Sequence, residues 1–228
     1  MAESYTFTLK DTSPVTHDTY RLVFDRPEGF DWEAGQCTHW ALDRDGWRDE
    51  DRPFTMTSQP EEHDRVEFVI KCYPDHDNGV TKQIPQVSPG DRVIGDEPAG
   101  AITDRGGPAV FIAGGAGITP FIPILRRRAM DGKMQDCRLI YSNRTEADII
   151  LREEWERTEG LETVFTVTEQ PDAGVHTRMI DADFLAEHMG DPGRDFYICG
   201  PKGMVNDVRE ALKQAGVDAD NIVTEHGW

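Results

Sequence analysis

The chain has 228 residues, with 43 acidic against 24 basic side chains and a net charge of -19. An acid excess spread along the whole chain argues against nucleic acid as a partner, and with no run of 18 apolar residues and no charged-then-apolar amino-terminal segment neither a membrane span nor an export signal is expected. Cys37, Cys72, Cys137 and Cys199 stand far apart without a Cys-x-x-Cys pair, so neither a zinc nor an iron–sulfur site is expected.

These features describe a soluble, cytoplasmic protein. Its acidity strains a fold by self-repulsion and is tolerable where salt screens it, which points to a salt-adapted source. The length suffices for two domains of about 100 residues, each with its own core.

From Tyr5 to about Ile102 the pattern is short alternating runs, YTFTLKD, DTYRLVFD, QCTHWALD, DRVEFVIKCY and DRVIGDEP, separated by Gly, Pro and Asp. That spacing predicts an antiparallel β-barrel. Inside this half, RPFTMTS at residues 52–58 sets Arg52 directly before Pro53, Phe54 and Thr55. A guanidinium, a stiffened backbone, a flat ring and a hydroxyl suit a flat, phosphate-bearing cofactor. The same residues also suit an edge strand that opens on proline and exposes its arginine.

TDRGGP, residues 103–108, is a short linker, which places the domains at 1–105 and 106–228. Beyond it the period changes. AVFIAGG, CRLIYSN, ETVFTVT and DFYICG read as strands, and TPFIPILRRRAMDG, EADIILREEWERT, DADFLAEHM and KGMVNDVREALKQAG as the helices between them. Strand and helix in alternation predict a parallel, Rossmann-like α/β sheet.

In FIAGGAGITP a buried strand runs through three glycines into a helix, with the spacing Gly115-x-Gly117-x-x-Pro120. Bare backbone N–H groups at a helix start suit a pyrophosphate, although the third glycine of the usual fingerprint is missing. Thr119 can cap and Pro120 suits the first helical turn. YICGPKGM repeats the strand–break–helix pattern at Cys199, Gly200 and Pro201, and two such breaks at one sheet edge predict one crevice. Cys199 reads equally as an inert core thiol. LRRRAMDGK, residues 125–133, is the one basic cluster, either a docking patch or a solvated helix face.

Taken in order and spacing, Arg52-Pro53-Phe54-Thr55, Ile70-Lys71, Gly79-Val80-Thr81, GGAGITP, CGP and a late glutamate resemble the ferredoxin–NADP reductase superfamily of flavoenzymes over almost the whole chain. The resemblance implies an FAD-binding barrel followed by an NAD(P)-binding α/β domain. It also implies hydride transfer from NADPH or NADH to FAD, with electrons passed to a separate soluble acceptor such as a ferredoxin, a flavodoxin or an oxygenase component.

By the same resemblance, Arg52 looks like the arginine on the flavin pyrophosphate, Phe54 like the ring packed on the isoalloxazine, and Thr55 like the hydroxyl at flavin N5. Gly79, Val80 and Thr81 resemble a second phosphate loop, which favours FAD over FMN. Ile70 and Lys71 match the strand beside the ribityl chain, where an exposed lysine needs no function. Gly115, Gly117, Thr119 and Pro120 look like the nicotinamide-dinucleotide loop. Cys199, Gly200 and Pro201 match the strip facing the nicotinamide, and Glu225 the late glutamate. Many branches carry an aromatic two residues after that glutamate; here Gly227 stands there and Trp228 is last, so Trp228 reads as a flavin shield or as a terminal residue without a role.

Where the adenine ribose lies in this family, Arg144 offers a fork and Ser142 a hydroxyl to a 2′-phosphate, against the repulsion of Glu146 and Asp148. The reading leans slightly to NADPH. Two other classes stay open at this level, a flavin-bearing electron-transfer or sensor subunit without its own NAD(P)H turnover, and a binding protein of the same layout without flavin.

Overall fold

The computed structural model describes residues 4–73 and 79–225. The chain divides into two compact units, Met1–Thr103 and Asp104–Trp228.

The first unit contains β1 (Ser4–Thr16), β2 (Thr19–Asp25), β3 (Cys37–Leu42), β4 (Arg52–Thr55), β5 (Arg65–Lys71) and β6 (Arg92–Asp96). They lie in the order β4-β3-β6-β1-β2-β5 with antiparallel neighbours throughout. Strand β1 serves two partners: Ser4–Thr8 pairs with β6, and Leu9–Thr16 pairs with β2, with register shifts after Leu9 and Pro14. Such shifts bend a strand and let a sheet curl. The two ends of the sheet almost meet, through a bridge between Met56 and Phe68 and the bond from Thr57 N to Glu67 O at 2.7 Å. The result is a nearly closed six-stranded barrel.

Alternate residues of these strands turn inward because successive side chains point to opposite faces. The interior is aromatic, with Phe7 edge-on to Phe30 at 4.8 Å and Phe24 edge-on to Phe68 at 5.7 Å. One expectation is corrected here. The first strand runs past Asp11 to Thr16, since changing partner keeps its backbone bonded. RPFT is a strand at the end of the ladder order, in keeping with the edge strand that its proline and exposed arginine suit.

The second unit contains β7 (Ala109–Gly114), α1 (Phe121–Met130), β8 (Cys137–Asn143), α2 (Arg152–Arg157), β9 (Leu161–Val167), α3 (Ala182–His188), β10 (Asp195–Cys199), α4 (Lys202–Gln214) and β11 (Ile222–Val223). All strand pairs are parallel, in the order β11-β10-β7-β8-β9. The order reverses between β7 and β10. In open α/β sheets the crevice beyond the carboxyl ends at such a reversal is the ligand position.

One face of the sheet packs Ile112, Ile140 and Phe196 against Phe184 of α3 and Val205, Val208 and Leu212 of α4. The last three recur at helical spacing, which gives α4 its single apolar stripe. Elsewhere in the core Phe111 stacks on Tyr197 at 4.9 Å with ring planes 11° apart.

The continuous helix expected over 146–158 is broken. Thr145 and Asp148 form a capping box around a 3₁₀ turn at Glu146–Asp148, and Leu151 then takes a left-handed conformation with φ 57°. The bend buries Ile149 and Ile150 and leaves α2 only six residues long. The basic cluster is also part of the fold. Arg126 forks onto Glu154 at 2.6 and 2.8 Å, and Arg128, 2 % exposed, is spent on Asp104, the Gly107 carbonyl and Cys137.

Candidate functional site

In the barrel unit the expected cofactor residues fall on β4 and β5 and on the segment that follows β5. Strand β4 pairs with β3 so that Thr55 faces Cys37, Phe54 faces Thr38 and Arg52 faces Trp40. Phe54 is half-buried and lies against Trp40, with ring centroids 4.3 Å apart and planes inclined at 33°. Trp40, fully buried and absent from the sequence reading, is what orients that ring.

The Arg52 side chain is 48 % exposed. Its Nη1 donates to the Asp51 carbonyl at 2.5 Å, and its Nη2 lies 3.7 Å from Glu50 Oε2. An exposed fork held this lightly fits a phosphate, because surface pairs contribute only about 0–1 kcal/mol and charge-assisted bonds to phosphate are stronger.

Strand β5 carries Ile70, buried, and Lys71, which is not the exposed lysine considered above. Lys71 is 7 % exposed and its Nζ sits 2.8 Å from Asp18 Oδ2. Burial alone would raise the Asp18 carboxyl, but Lys71, Thr16 and Thr19 bond it and hold it below its usual value. The ammonium charge is therefore committed inside the unit. Gly79 precedes a 3₁₀ segment at Val80–Gln86 rather than an α-helix, with Val80 in the core and Thr81 half-buried.

In the α/β unit the two breaks meet at the reversal between β7 and β10. A Cβ on Gly117 would overlap the Cys199 carbonyl and stand 2.6 Å from Gly200 N, and one on Gly200 would stand 3.0 Å from Gly114 N. Glycine is required because backbone lies on backbone. Gly115 differs: its φ is 53°, and nothing lies within 4 Å of where a Cβ would be. The glycines thus divide into some that seal the two loops together and one that leaves an open turn, which fits a pyrophosphate approaching bare backbone.

Thr119 does not cap α1. Its hydroxyl donates to Ala116 O at 3.0 Å, and Pro120 takes the N-cap position. Pro201 precedes α4, and Cys199 is half-buried. Strand β11 runs beside β10 with Val223 opposite Tyr197, so Glu225 leaves the sheet at the same edge as Cys199. Trp228 lies outside the described residues.

Ser142 faces Gly114 across β7 and β8, which brings the start of YSNRTEADII to this edge. Arg144, 59 % exposed, is 3.9 Å from Asp148. Glu146 is bonded by Arg152 and by Gly174 N, and these partners hold its carboxyl below the usual range. Arg152, which also pairs with Glu156 at 2.8 Å, offsets part of its charge. The sequence offered no sign of the second partner, because the loop carrying Gly174 lies 28 residues downstream.

The family described as Oxidoreductase FAD-binding domain matches residues 6–103, and that described as Oxidoreductase NAD-binding domain matches residues 111–210. NADH-cytochrome b5 reductase 2 of Mycosarcoma maydis is 26 % identical over 249 residues, spanning 95 % of this chain and 71 % of that protein. The reductase component of propane 2-monooxygenase from Rhodococcus jostii (strain RHA1) is 30 % identical over 227 residues, and the match spans 92 % of this chain but 60 % of that one. Among solved structures, a ferredoxin NADP+ reductase from Neisseria gonorrhoeae with bound FAD and NADP superimposes with a TM-score of 0.85 at 19 % identity, covering 100 % of both chains. The Amycolatopsis cytochrome P450 reductase GcoB also gives 0.85, at 23 % identity over 98 % of this chain and 69 % of that one.

Proposed function

The chain belongs to the ferredoxin–NADP reductase superfamily, and from that premise we propose an FAD-dependent oxidoreductase that draws hydride from NADPH or NADH and hands electrons to a separate acceptor. The succession of an FAD-binding and an NAD-binding domain within one chain carries this reading. When bound, the flavin supplies the redox chemistry, taking electrons in a pair and giving them up singly or in pairs.

The protein's own part is to bind, align and exclude water. Arg52 and the Gly79–Thr81 segment would hold the flavin phosphates, Phe54 would back the ring system with Trp40 behind it, and the Thr55 hydroxyl would bond at N5. Ile70 and Lys71 would lie beside the ribityl chain, Lys71 as a braced strand residue whose charge is spent on Asp18. Gly115, Gly117, Thr119 and Pro120 would receive the dinucleotide, with Cys199, Gly200, Pro201 and Glu225 at the nicotinamide end.

For the donor, NADPH is favoured through Ser142 and Arg144. The pairing of Glu146 with Arg152 supports this choice by lowering the repulsion that a 2′-phosphate would meet. The relatives' names divide between NADH and NADP, so Arg144 itself has to be tested. The acceptor is a soluble electron-carrying protein of the ferredoxin, flavodoxin or oxygenase-component kind, docking away from the α1 arginines that the fold consumes. Among the described residues no helix is long and apolar enough to cross a membrane. We place the protein in the cytoplasm of a salt-adapted cell, a placement that a melting temperature falling with added potassium chloride would reject.

Steady-state oxidation of NADPH and of NADH with ferricyanide tests the activity and the donor together, followed by a panel of soluble acceptor proteins. Turnover with at least one donor is expected. A flavin-loaded preparation that oxidises neither would end the proposal.

A further inference from the structure

Tyr141 lies in β8 between its cross-strand partners Ala113 of β7 and Phe165 of β9 and is 0 % exposed. A phenol placed there is costly unless its hydroxyl is bonded, and the hydroxyl donates to Gly115 O at 2.8 Å, across 26 residues of sequence. We propose that Tyr141 is a positioning residue which sets the open Gly115 turn for the diphosphate of the dinucleotide. This rests on the reading of Gly115–Pro120 as the dinucleotide loop.

Carbonyl and N–H of a trans peptide point in opposite directions. Holding the Gly115 carbonyl onto the buried phenol therefore aims the Ala116 N–H away from Tyr141. The left-handed φ of 53° at Gly115 and the clear space around it leave that turn approachable. On its other flank the loop is already fixed, because Gly117 rests on the Cys199–Gly200 backbone. The turn is thus clamped at two points, by a side chain from β8 and by the backbone beyond β10. Loss of the hydroxyl frees the Gly115 peptide, and the diphosphate must then order it on binding, which weakens affinity.

The variant Tyr141→Phe removes the hydroxyl and keeps the ring that packs near Phe165. Titrating the flavin-loaded, full-length variant with ADP-ribose, which carries the diphosphate without the nicotinamide, should show binding weaker by roughly three- to tenfold, the scale of one hydrogen bond. The KM for the reduced nicotinamide should rise by a similar factor, with the loss falling in KM rather than in kcat. A merely structural tyrosine would lower the melting temperature and leave ADP-ribose affinity and KM at parental values, and that result overturns the proposal. Gly115→Ala, which strains the turn and fills it with a methyl, separates the two readings. If it weakens ADP-ribose while Tyr141→Phe does not, the loop stands and the role of Tyr141 falls. If neither variant changes affinity, the loop assignment falls and the proposal falls with it.

Discussion

In the α/β unit the candidates Gly117 and Gly200 are glycines whose backbones touch other backbone, whereas in the barrel unit the leading candidate is a long arginine standing exposed on a short strand. Gly117 cannot take a Cβ without overlapping the Cys199 carbonyl. Arg52 can lose its whole side chain and leave the β3–β4 ladder intact, because that ladder is made of main-chain bonds. Where recognition uses backbone, site and fold are one object. Where it uses a side chain on an edge, the site can be removed and the fold retained.

The largest expected effect follows from the first half of that contrast. Gly117→Ala should destabilise the α/β unit by about 3 kcal/mol or more, since the clash is with main chain that no rotamer change relieves. Urea unfolding of the variant reads this directly, and an unchanged midpoint would show that the two loops are less tightly joined. Arg52→Ala comes next: FAD affinity should fall by about 2–3 kcal/mol, the range of a charge-assisted hydrogen bond. The stability of the flavin-free protein should move by less than about 1 kcal/mol. Flavin retained on a desalting column as well as by the parent would remove Arg52 from the phosphate site.

A smaller and more selective effect is expected at Arg144. Its replacement by Ala should weaken NADPH by about 1.5 kcal/mol, roughly tenfold in KM, and leave NADH nearly untouched. Equal losses with both donors would show that Arg144 does not read the phosphate. The smallest effect tests burial within the barrel. Cys72, 6 % exposed, has its thiol pushed up from 9.0 to about 11 by burial and then by the Asp18 charge, against the opposing pull of Lys71. The native state therefore holds this proton more tightly than the unfolded chain does. Its contribution to stability is full below the unfolded value of 9.0 and is lost as pH rises toward about 11. Cys72→Ala should flatten that alkaline decline, and native Cys72 should react slowly with iodoacetamide at neutral pH. Fast labelling would contradict the buried assignment.

How much of this the sequence carried depends on the range of the contact. The change from alternating runs to strand–helix alternation is local, so barrel and parallel sheet were both legible, as was the glycine-rich turn after β7. The break at Leu151 was not legible, since EADIILREEWERT has a helical pattern and the left-handed residue is imposed by burying Ile149 and Ile150. Lys71 read as an optional surface lysine because its partner Asp18 lies 53 positions earlier and joins it only across the paired strands β2 and β5. The role of Gly117 as a seal rather than an open amide depends on Cys199, 82 positions later. Tyr141 gave no signal, because its partner, the Gly115 carbonyl, lies 26 positions earlier.

The central claim is that this one chain accepts hydride from a reduced nicotinamide onto its bound flavin. Anaerobic stopped-flow mixing of the FAD-loaded protein with one equivalent of NADPH, and separately of NADH, tests it most directly through the flavin's visible absorption. The account predicts rapid bleaching with at least one donor and recovery of the colour on adding ferricyanide. A yellow protein whose absorption is unchanged by either donor would contradict it.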